Sequence, residues 1–521
     1  MNQPDTIVVI DFGGQYTQLI ARRIRELSVF SKIVPYHLKL SEIKSLNPKG
    51  IILSGSPKSV YEKGSPIITK ELFAFYKEKS IPILGICYGQ QLIGHLFGGK
   101  IRSLPKKEYG KTKIKILNQN TLFKDIDTTE TVWMSHSDQI TRLPPNFEVI
   151  ASSESCPIAS IYNKDAQLYA IQFHIEVSHT PKGMQILRNF VLDICKCNQN
   201  WNMTNFIKDS ISKIQEIIKD EKVIMAVSGG VDSTVTATLI EKAIGDNIFC
   251  IFVDNGLMRK NEIAEVRNNF QNILQFKHFY VENAQNVFLS RLKGIIDPEE
   301  KRKIVARTFI EVFEAKAEQL KLEFGEIKFL GQGTIAPDRI ESGVTSKVSA
   351  TIKSHHNVAL PKNMNLKIIE PLNSLYKDEV RKVGKELGIP SEILERHPFP
   401  GPSLAIRIIG DVTNEKLHIV RESDAILIEE LKNAKAYNTV WQAFTVYLPI
   451  KSVGVMGDAR TYQNMVLIRM IESQDAMTAN FAKLDWDLLE RIASRIINEV
   501  TGVNRVVYDV SNKPPATVEL E

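Results

Sequence analysis

Cysteine is scarce in this chain. There are five in 521 residues (Cys87, Cys156, Cys195, Cys197 and Cys250), an odd number that a complete set of intrachain disulfides cannot use. Cys195-Lys196-Cys197 has no second cysteine pair with which to close a zinc site, so reduced thiols and no structural metal are expected. No apolar run is long enough to span a bilayer, and Met1-Asn2-Gln3-Pro4-Asp5 lacks the basic and apolar regions of a secretory signal. The expectation is a cytoplasmic protein with no membrane partner. A strong charge of one sign is also lacking: 66 Lys and Arg against 60 Asp and Glu leave a net +6. That balance suits anionic nucleotides and gives no argument for binding nucleic acid. There is no internal repeat and no low-complexity segment. What is present is a chain 43% hydrophobic, enough for large buried cores, with a length that suggests about three to four domains.

Apolar runs alternate with helical stretches along most of it. Thr6 to Ile10, Gly50 to Leu53, Pro82 to Ile86 and Leu168 to Phe173 read as strands, and Gln15 to Leu27 and Gly183 to Ile194 as helices. The pattern breaks into a linker around Cys195 to Asn205, then resumes near Thr204 with Val223 to Val227, Ile248 to Val253 and Ile327 to Gly331. A polar, loop-like stretch covers Pro337 to Pro361. At Arg396-His397-Pro398-Phe399-Pro400-Gly401-Pro402 three prolines forbid a continuous helix. The predicted class is α/β: two doubly wound α/β domains at 1-197 and 204-395, and an α+β domain at 396-521.

The tightest constraint on chemistry is Ser228-Gly229-Gly230-Val231-Asp232-Ser233, which follows a strand and opens a helix. Two glycines let consecutive N–H groups point into one concavity, the helix N-terminus adds positive character, and Ser228 and Ser233 supply hydroxyl donors. The lysine of G-x-x-x-x-G-K-[ST] is missing, which disfavours a Walker-type kinase or ATPase. The run S-G-G-x-D-[ST] instead resembles the loop of ATP pyrophosphatases, which release pyrophosphate and leave an adenylated substrate. An ordinary Gly-Gly turn is the plainer alternative. Val253, at the end of the next strand, is placed to pack near adenine. Mg²⁺ is expected with the phosphates, and Asp232 is the best metal contact.

A second motif, Gly85-Ile86-Cys87-Tyr88-Gly89, is the thiol counterpart of the G-x-S-x-G nucleophile elbow. Its glycines permit a tight bend that exposes the sulfur beside a helix N-terminus. His174 lies just beyond another strand, with Glu176 two residues on to orient the ring. Alone, Cys87 reads as a buried core cysteine and His174 as a structural histidine. Together, at two strand ends, they favour catalysis.

With these residues the first block resembles the class I glutamine amidotransferases, whose triad Cys87, His174 and Glu176 match. Joined to a pyrophosphatase loop, the whole chain resembles the glutamine-hydrolysing GMP synthetase family. Further motifs carry the resemblance: Tyr16-Thr17-Gln18-Leu19, Trp133-Met134-Ser135-His136, Gly331-Gln332-Gly333-Thr334, Ile352-Lys353-Ser354-His355-His356-Asn357, Ser452-Val453-Gly454-Val455-Met456-Gly457-Asp458 and Lys513-Pro514-Pro515-Ala516-Thr517-Val518-Glu519. The chain departs from the usual pattern at Gly14 (for Ser), Ser56, Ser137 and Ser403 (each for Gly) and Ile175 (for Pro).

The resemblance implies a homodimeric ligase that adenylates xanthosine 5′-monophosphate (XMP) with MgATP and displaces AMP with ammonia, drawn from glutamine at the N-terminal glutaminase, to give GMP. In that scheme Tyr88 and Gly55 supply oxyanion N–H groups, and Gln91, Ser135 and His136 shape the glutamine pocket. Gly331 joins Ser228 to Ser233 and Val253 around ATP. Asp338, Glu341, Lys353 and His356 belong to a lid over Pro337 to Pro361, and Lys377 and Asp378 approach ATP from a helix start; for each, a solvated surface charge is the plainer reading. Arg302, Gln442, Lys513, Thr517 and Glu519 contact XMP, and 396-521 carries the dimer interface. A different acceptor and a tRNA-thiolating enzyme are the alternatives. The C-terminal motifs argue against the first, and the lack of further paired cysteines against the second.

Overall fold

The buried run Thr6–Asp11 (TIVVID) forms strand β1 and anchors the first sheet of the computed structural model, which describes residues 4–68, 70–119, 121–341, 366–473 and 478–521. The chain falls into two compact units, Met1–Phe206 with Arg339–Ile352 and Ile207–Asp338 with Lys353–Glu521.

In the first unit β1 is joined by β2 (Phe30–Pro35), β3 (Gly50–Leu53), β4 (Ile83–Ile86), β5 (Lys100–Ile116), β6 (Thr129–Arg142), β7 (Glu148–Ser152), β8 (Ser160–Asn163) and β9 (Leu168–Ile171). The order across the sheet is β2-β1-β3-β4-β9-β8-β7-β5-β6. From β2 to β9 neighbouring strands are parallel, and from β9 to β6 they are antiparallel. Successive residues of β1 point to opposite faces: Ile7 and Val9 enter one buried core, Val8 and Ile10 the other. Helix α1 (Thr17–Glu26) buries Ile20, Ala21 and Ile24 on the first of these faces. The expected strands are present with ends shifted by one or two residues. Gln172 and Phe173 lie beyond β9, and Asp11 is added to β1. The β5–β6 ribbon was not anticipated. Its inward residues Ile114 and Ile116 alternate with lysines, so no continuous apolar run announces it.

The second unit opens on an all-parallel sheet of β10 (Val223–Ala226), β11 (Ile248–Asp254), β12 (Phe279–Asn283), β13 (Phe329–Gly331) and β14 (Lys367–Ile369), in the order β12-β11-β10-β13-β14. Helices α3 (Val231–Ile244), α4 (Glu262–Asn268), α5 (Pro298–Phe324) and α6 (Lys377–Glu386) follow its strands, as α2 (Tyr88–Leu96) follows β4 in the first unit. Beyond Arg396, β15 (Gln442–Met456) and β16 (Ala459–Glu472) form an antiparallel hairpin. To it are added β17 (Asn480–Phe481) and β18 (Val503–Tyr508), with helices α7 (Asn414–Asn433) and α8 (Trp486–Glu499). One core runs through this unit, from Ile224 and Ile251 to Leu427, Val466 and Ile492. Among the described residues no helix is long and apolar enough to cross a membrane.

Candidate active sites

Two glycines shape the first site. Cys87 leaves the end of β4 and starts α2 at φ 55° and ψ −104°, a strained conformation that costs about 1–3 kcal/mol. A Cβ on Gly85 would lie 2.6 Å from the carbonyl group of Gly89, and one on Gly89 would lie 2.4 Å from the Leu53 carbonyl oxygen. Side chains at either position would push the bend open. The Cys87 N–H donates to the Ile171 carbonyl at 2.8 Å, pinning the elbow to β9.

His174 is held by the chain that continues from β9. Its N–H donates to Trp133 O at 2.9 Å, and its Nδ1 lies 2.6 Å from Glu176 Oε1. Both side chains are buried. Burial opposes charging the ring, but the Glu176 carboxylate and the Cys87 sulfur outweigh it and hold His174 well above the usual histidine range. Tyr16 packs edge-on against the ring at 4.9 Å between centroids, and Gly55 sits alongside, its would-be Cβ 3.8 Å from His174 Cε1. Cys87, His174 and Gly55 are thus brought together. The Cys87 thiol reaches the Ser135 carbonyl at 3.7 Å, and Tyr88 opens α2, where helix N–H groups lack intrahelical acceptors.

The remaining pocket candidates are engaged in bracing. Gln91 Nε2 donates to Asp138 O at 2.8 Å and Gln172 Oε1 at 3.3 Å. His136 is held by Glu108 at 3.2 Å and by the Asp138 carbonyl at 3.1 Å; burial lowers its pKa, with Glu108 opposing. Sequence reasoning missed Gln172, fully buried, whose Nε2 donates to the Cys87 sulfur at 3.7 Å. A polar residue directly after the apolar run Leu168 to Ile171 was the available signal. The departure at Gly14 also has a reason, since a Cβ there would lie 2.4 Å from Gly55 O.

In the second unit the loop Ser228 to Ser233 lies between β10 and α3 and is closed by its own hydroxyls. Ser228 N–H donates to Ser233 Oγ at 3.2 Å, Gly230 N–H to Ser228 Oγ at 3.3 Å, and Ser233 Oγ to Gly230 O at 3.1 Å. Val231 and Asp232 form the first turn of α3. Lys377, at the start of α6, places Nζ 2.5 Å from Asp232 Oδ2, while Asp232 Oδ1 is buried without a partner. That orphaned carboxylate oxygen beside a phosphate-shaped loop fits a hard divalent cation. Gly333 packs its backbone on the loop, its would-be Cβ 3.1 Å from Ser233 N, and Gly331 is closed in by Ile240 at 3.1 Å. The Val253 side chain is wholly within the core. Asp338 caps a short helix, Ala336–Glu341, accepting from Ile335 N at 3.0 Å; Asp378 follows Lys377 in α6. The Glu341 side chain, Lys353 and His356 lie outside the described residues.

The C-terminal candidates gather on buried cations that sequence reading did not single out. Arg407, fully buried, forks onto Glu519 with Nη2–Oε1 at 2.9 Å and Nε–Oε2 at 3.1 Å. Gln442 Nε2 donates to the same carboxylate at 3.2 Å. Lys301 Nζ pairs with Glu521 Oε2 at 2.5 Å, neighbouring Arg302 donates to the main-chain oxygen of Glu521, and Arg469 donates to the carbonyl of Thr517 at 3.0 Å. Lys513 pairs through its backbone with Ala479. Burial alone, invisible in a list of arginines, marks Arg407 and Arg469. Ser403 takes φ 57°, where glycine is at ease, and its Oγ accepts from Asn255 at 3.2 Å.

A cysteine elbow backed by a buried His–Glu pair on a mixed α/β sheet defines a class I glutamine amidotransferase unit, and the description "Glutamine amidotransferase class-I" matches residues 8–194. "NAD synthase" matches residues 201–316 and "GMP synthase C terminal domain" residues 429–520. The glutamine-hydrolysing GMP synthase of Caldanaerobacter subterraneus is 52% identical over 518 residues, 99% of either chain. That of Brachyspira hyodysenteriae is 50% identical over the full length of both, and that of Aquifex aeolicus 53% over 99% of both. The chain belongs to the glutamine-hydrolysing GMP synthase family.

Proposed function

We propose the following division of labour for this glutamine-dependent carbon-nitrogen ligase, which aminates XMP to GMP with ATP. Cys87 attacks the glutamine carboxamide, the C–N bond breaks, and ammonia leaves with a proton from His174, giving a thioester that water cleaves to glutamate. Glu176 holds the His174 ring and supports its charge. The N–H groups of Tyr88 and Gly55 receive the oxyanion, and Gln91, Ser135 and His136 form the pocket wall behind it.

On the second unit, Ser228 to Ser233 with Gly331 and the Val253 backbone seat ATP, the Val253 side chain being taken up by the core. Xanthine O2 attacks the α-phosphorus, the bond to the β-phosphate oxygen breaks, and pyrophosphate leaves. Ammonia then adds at C2, and the C2–O bond breaks to release AMP. Asp232 would hold Mg²⁺, which would neutralise phosphate charge. Lys377 fixes the carboxylate that would hold it, and Asp338, Glu341, Lys353, His356 and Asp378 act at adenylation. Arg302, Gln442, Lys513, Thr517 and Glu519 bind XMP. We assign these tasks to residues 1-197, 204-395 and 396-521, the last also the interface of a cytoplasmic homodimer.

The observation that carries this reading is the presence on one chain of the Cys87 elbow with its His174–Glu176 pair and of an anion cradle without a Walker lysine. The test is XMP labelled with ¹⁸O at O2: on turnover the label should appear in AMP. Unlabelled AMP would refute adenylation at that oxygen.

A further inference from the structure

Gly229 turns the phosphate loop at φ +72°, pressed so closely on α4 that a Cβ would lie 2.4 Å from Val266 Cγ2. Its carbonyl accepts a hydrogen bond from Arg396 Nη1 at 2.9 Å, and the other arm of the same guanidinium, Nη2, lies 2.5 Å from Glu262 Oε1. The Arg396 side chain is 15% exposed and that of Glu262 3%. Glu262, the first residue of α4, is itself fixed, its Oε2 accepting from Arg259 N at 3.2 Å.

We propose that Arg396 is a positioning residue for the phosphate loop, holding the Gly229–Gly230 peptide so that the Gly230 N–H faces the anion. In a planar trans peptide the carbonyl and the following N–H point in opposite directions. Fastening the Gly229 oxygen to Arg396 therefore turns the Gly230 N–H toward the side of the Ser228 hydroxyl, which it reaches at 3.3 Å. The Glu262 carboxylate balances the guanidinium charge, so Arg396 orders the loop rather than attracting phosphate. A lysine could not span both partners, because it lacks the planar fork.

This inference rests on the loop being the seat of the ATP phosphates. Its test is isothermal titration of the full-length protein with magnesium pyrophosphate and, separately, with XMP. Arg396→Gln and Arg396→Lys should each weaken pyrophosphate binding about tenfold or more, the scale of a hydrogen bond to a charged group, while leaving XMP affinity within about twofold. Should neither fold, Glu262→Gln, which keeps the shape and removes the charge that fixes the guanidinium, should show the same selective loss in smaller measure. Unchanged pyrophosphate binding, or equal loss of both ligands, overturns the proposal. A wild-type protein that binds no pyrophosphate overturns the reading of the loop as well.

Discussion

Glu176 Oε1 and His174 Nδ1 are 2.6 Å apart in a buried pair, and the carboxylate is a principal support for the charge on the ring. Because the folded pKa of His174 is raised, the stabilisation from charging it is complete below the ordinary 6.5 and is lost as pH rises through the folded value. Catalysis follows the same group. If imidazolium supplies the proton to departing ammonia, glutaminase kcat/KM falls on the alkaline side as His174 deprotonates. Glu176→Gln should move that limb to lower pH and reduce kcat about a hundredfold or more. A pH–rate profile checks both, and an unmoved limb would contradict the role.

Gly89→Ala should distort the elbow, since the new methyl group would lie 2.4 Å from Leu53 O. Overpacking of this kind costs about 1–3 kcal/mol. The expected outcome is a lower melting temperature and loss of glutamine hydrolysis, with ammonium-supported GMP synthesis retained. Thermal melts and paired assays with the two nitrogen sources measure it.

Much of this was legible in the chain. G-x-C-x-G and S-G-G-x-D-S each need backbone geometry that few sequences supply, and the central parallel strands β1, β3, β4 and β11 are continuous apolar runs because they are buried on both faces. Other features are not written locally. Gln172 reaches Cys87, and Arg407 reaches Glu519, across 85 and 112 residues, so only the fold pairs them. The β5–β6 ribbon hides its inward residues among lysines that face outward. Arg396 stood in a motif read for its prolines, while its partners Gly229 and Glu262 lie far upstream.

Asp232 offers one oxygen to Lys377 and leaves the other unpartnered. Asp232→Asn should raise the Mg²⁺ concentration needed for half-maximal XMP-dependent pyrophosphate exchange, by about tenfold, because ligand charge sets affinity at such sites. Lys353→Ala should depress the same exchange more than glutamine hydrolysis. An Mg²⁺ dependence identical to the wild type would remove Asp232 from the metal site.

Glu519 accepts from both Arg407 and Gln442. Glu519→Gln leaves a buried guanidinium without its carboxylate and should lower stability by about 1–3 kcal/mol. KM for XMP should rise while KM for glutamine in the glutaminase reaction stays constant. Denaturant titration and steady-state kinetics separate the two effects, and an unchanged KM for XMP would count against Glu519 as a ligand.

The central claim, that one chain releases ammonia at Cys87 and consumes it at activated XMP, is tested most directly with Cys87→Ala. Supplied with XMP, ATP and Mg²⁺, the variant should form no GMP from glutamine yet form it from ammonium salt at a rate close to that of the unaltered protein. GMP formed from glutamine at the wild-type rate, or none from ammonium by either protein, would contradict it.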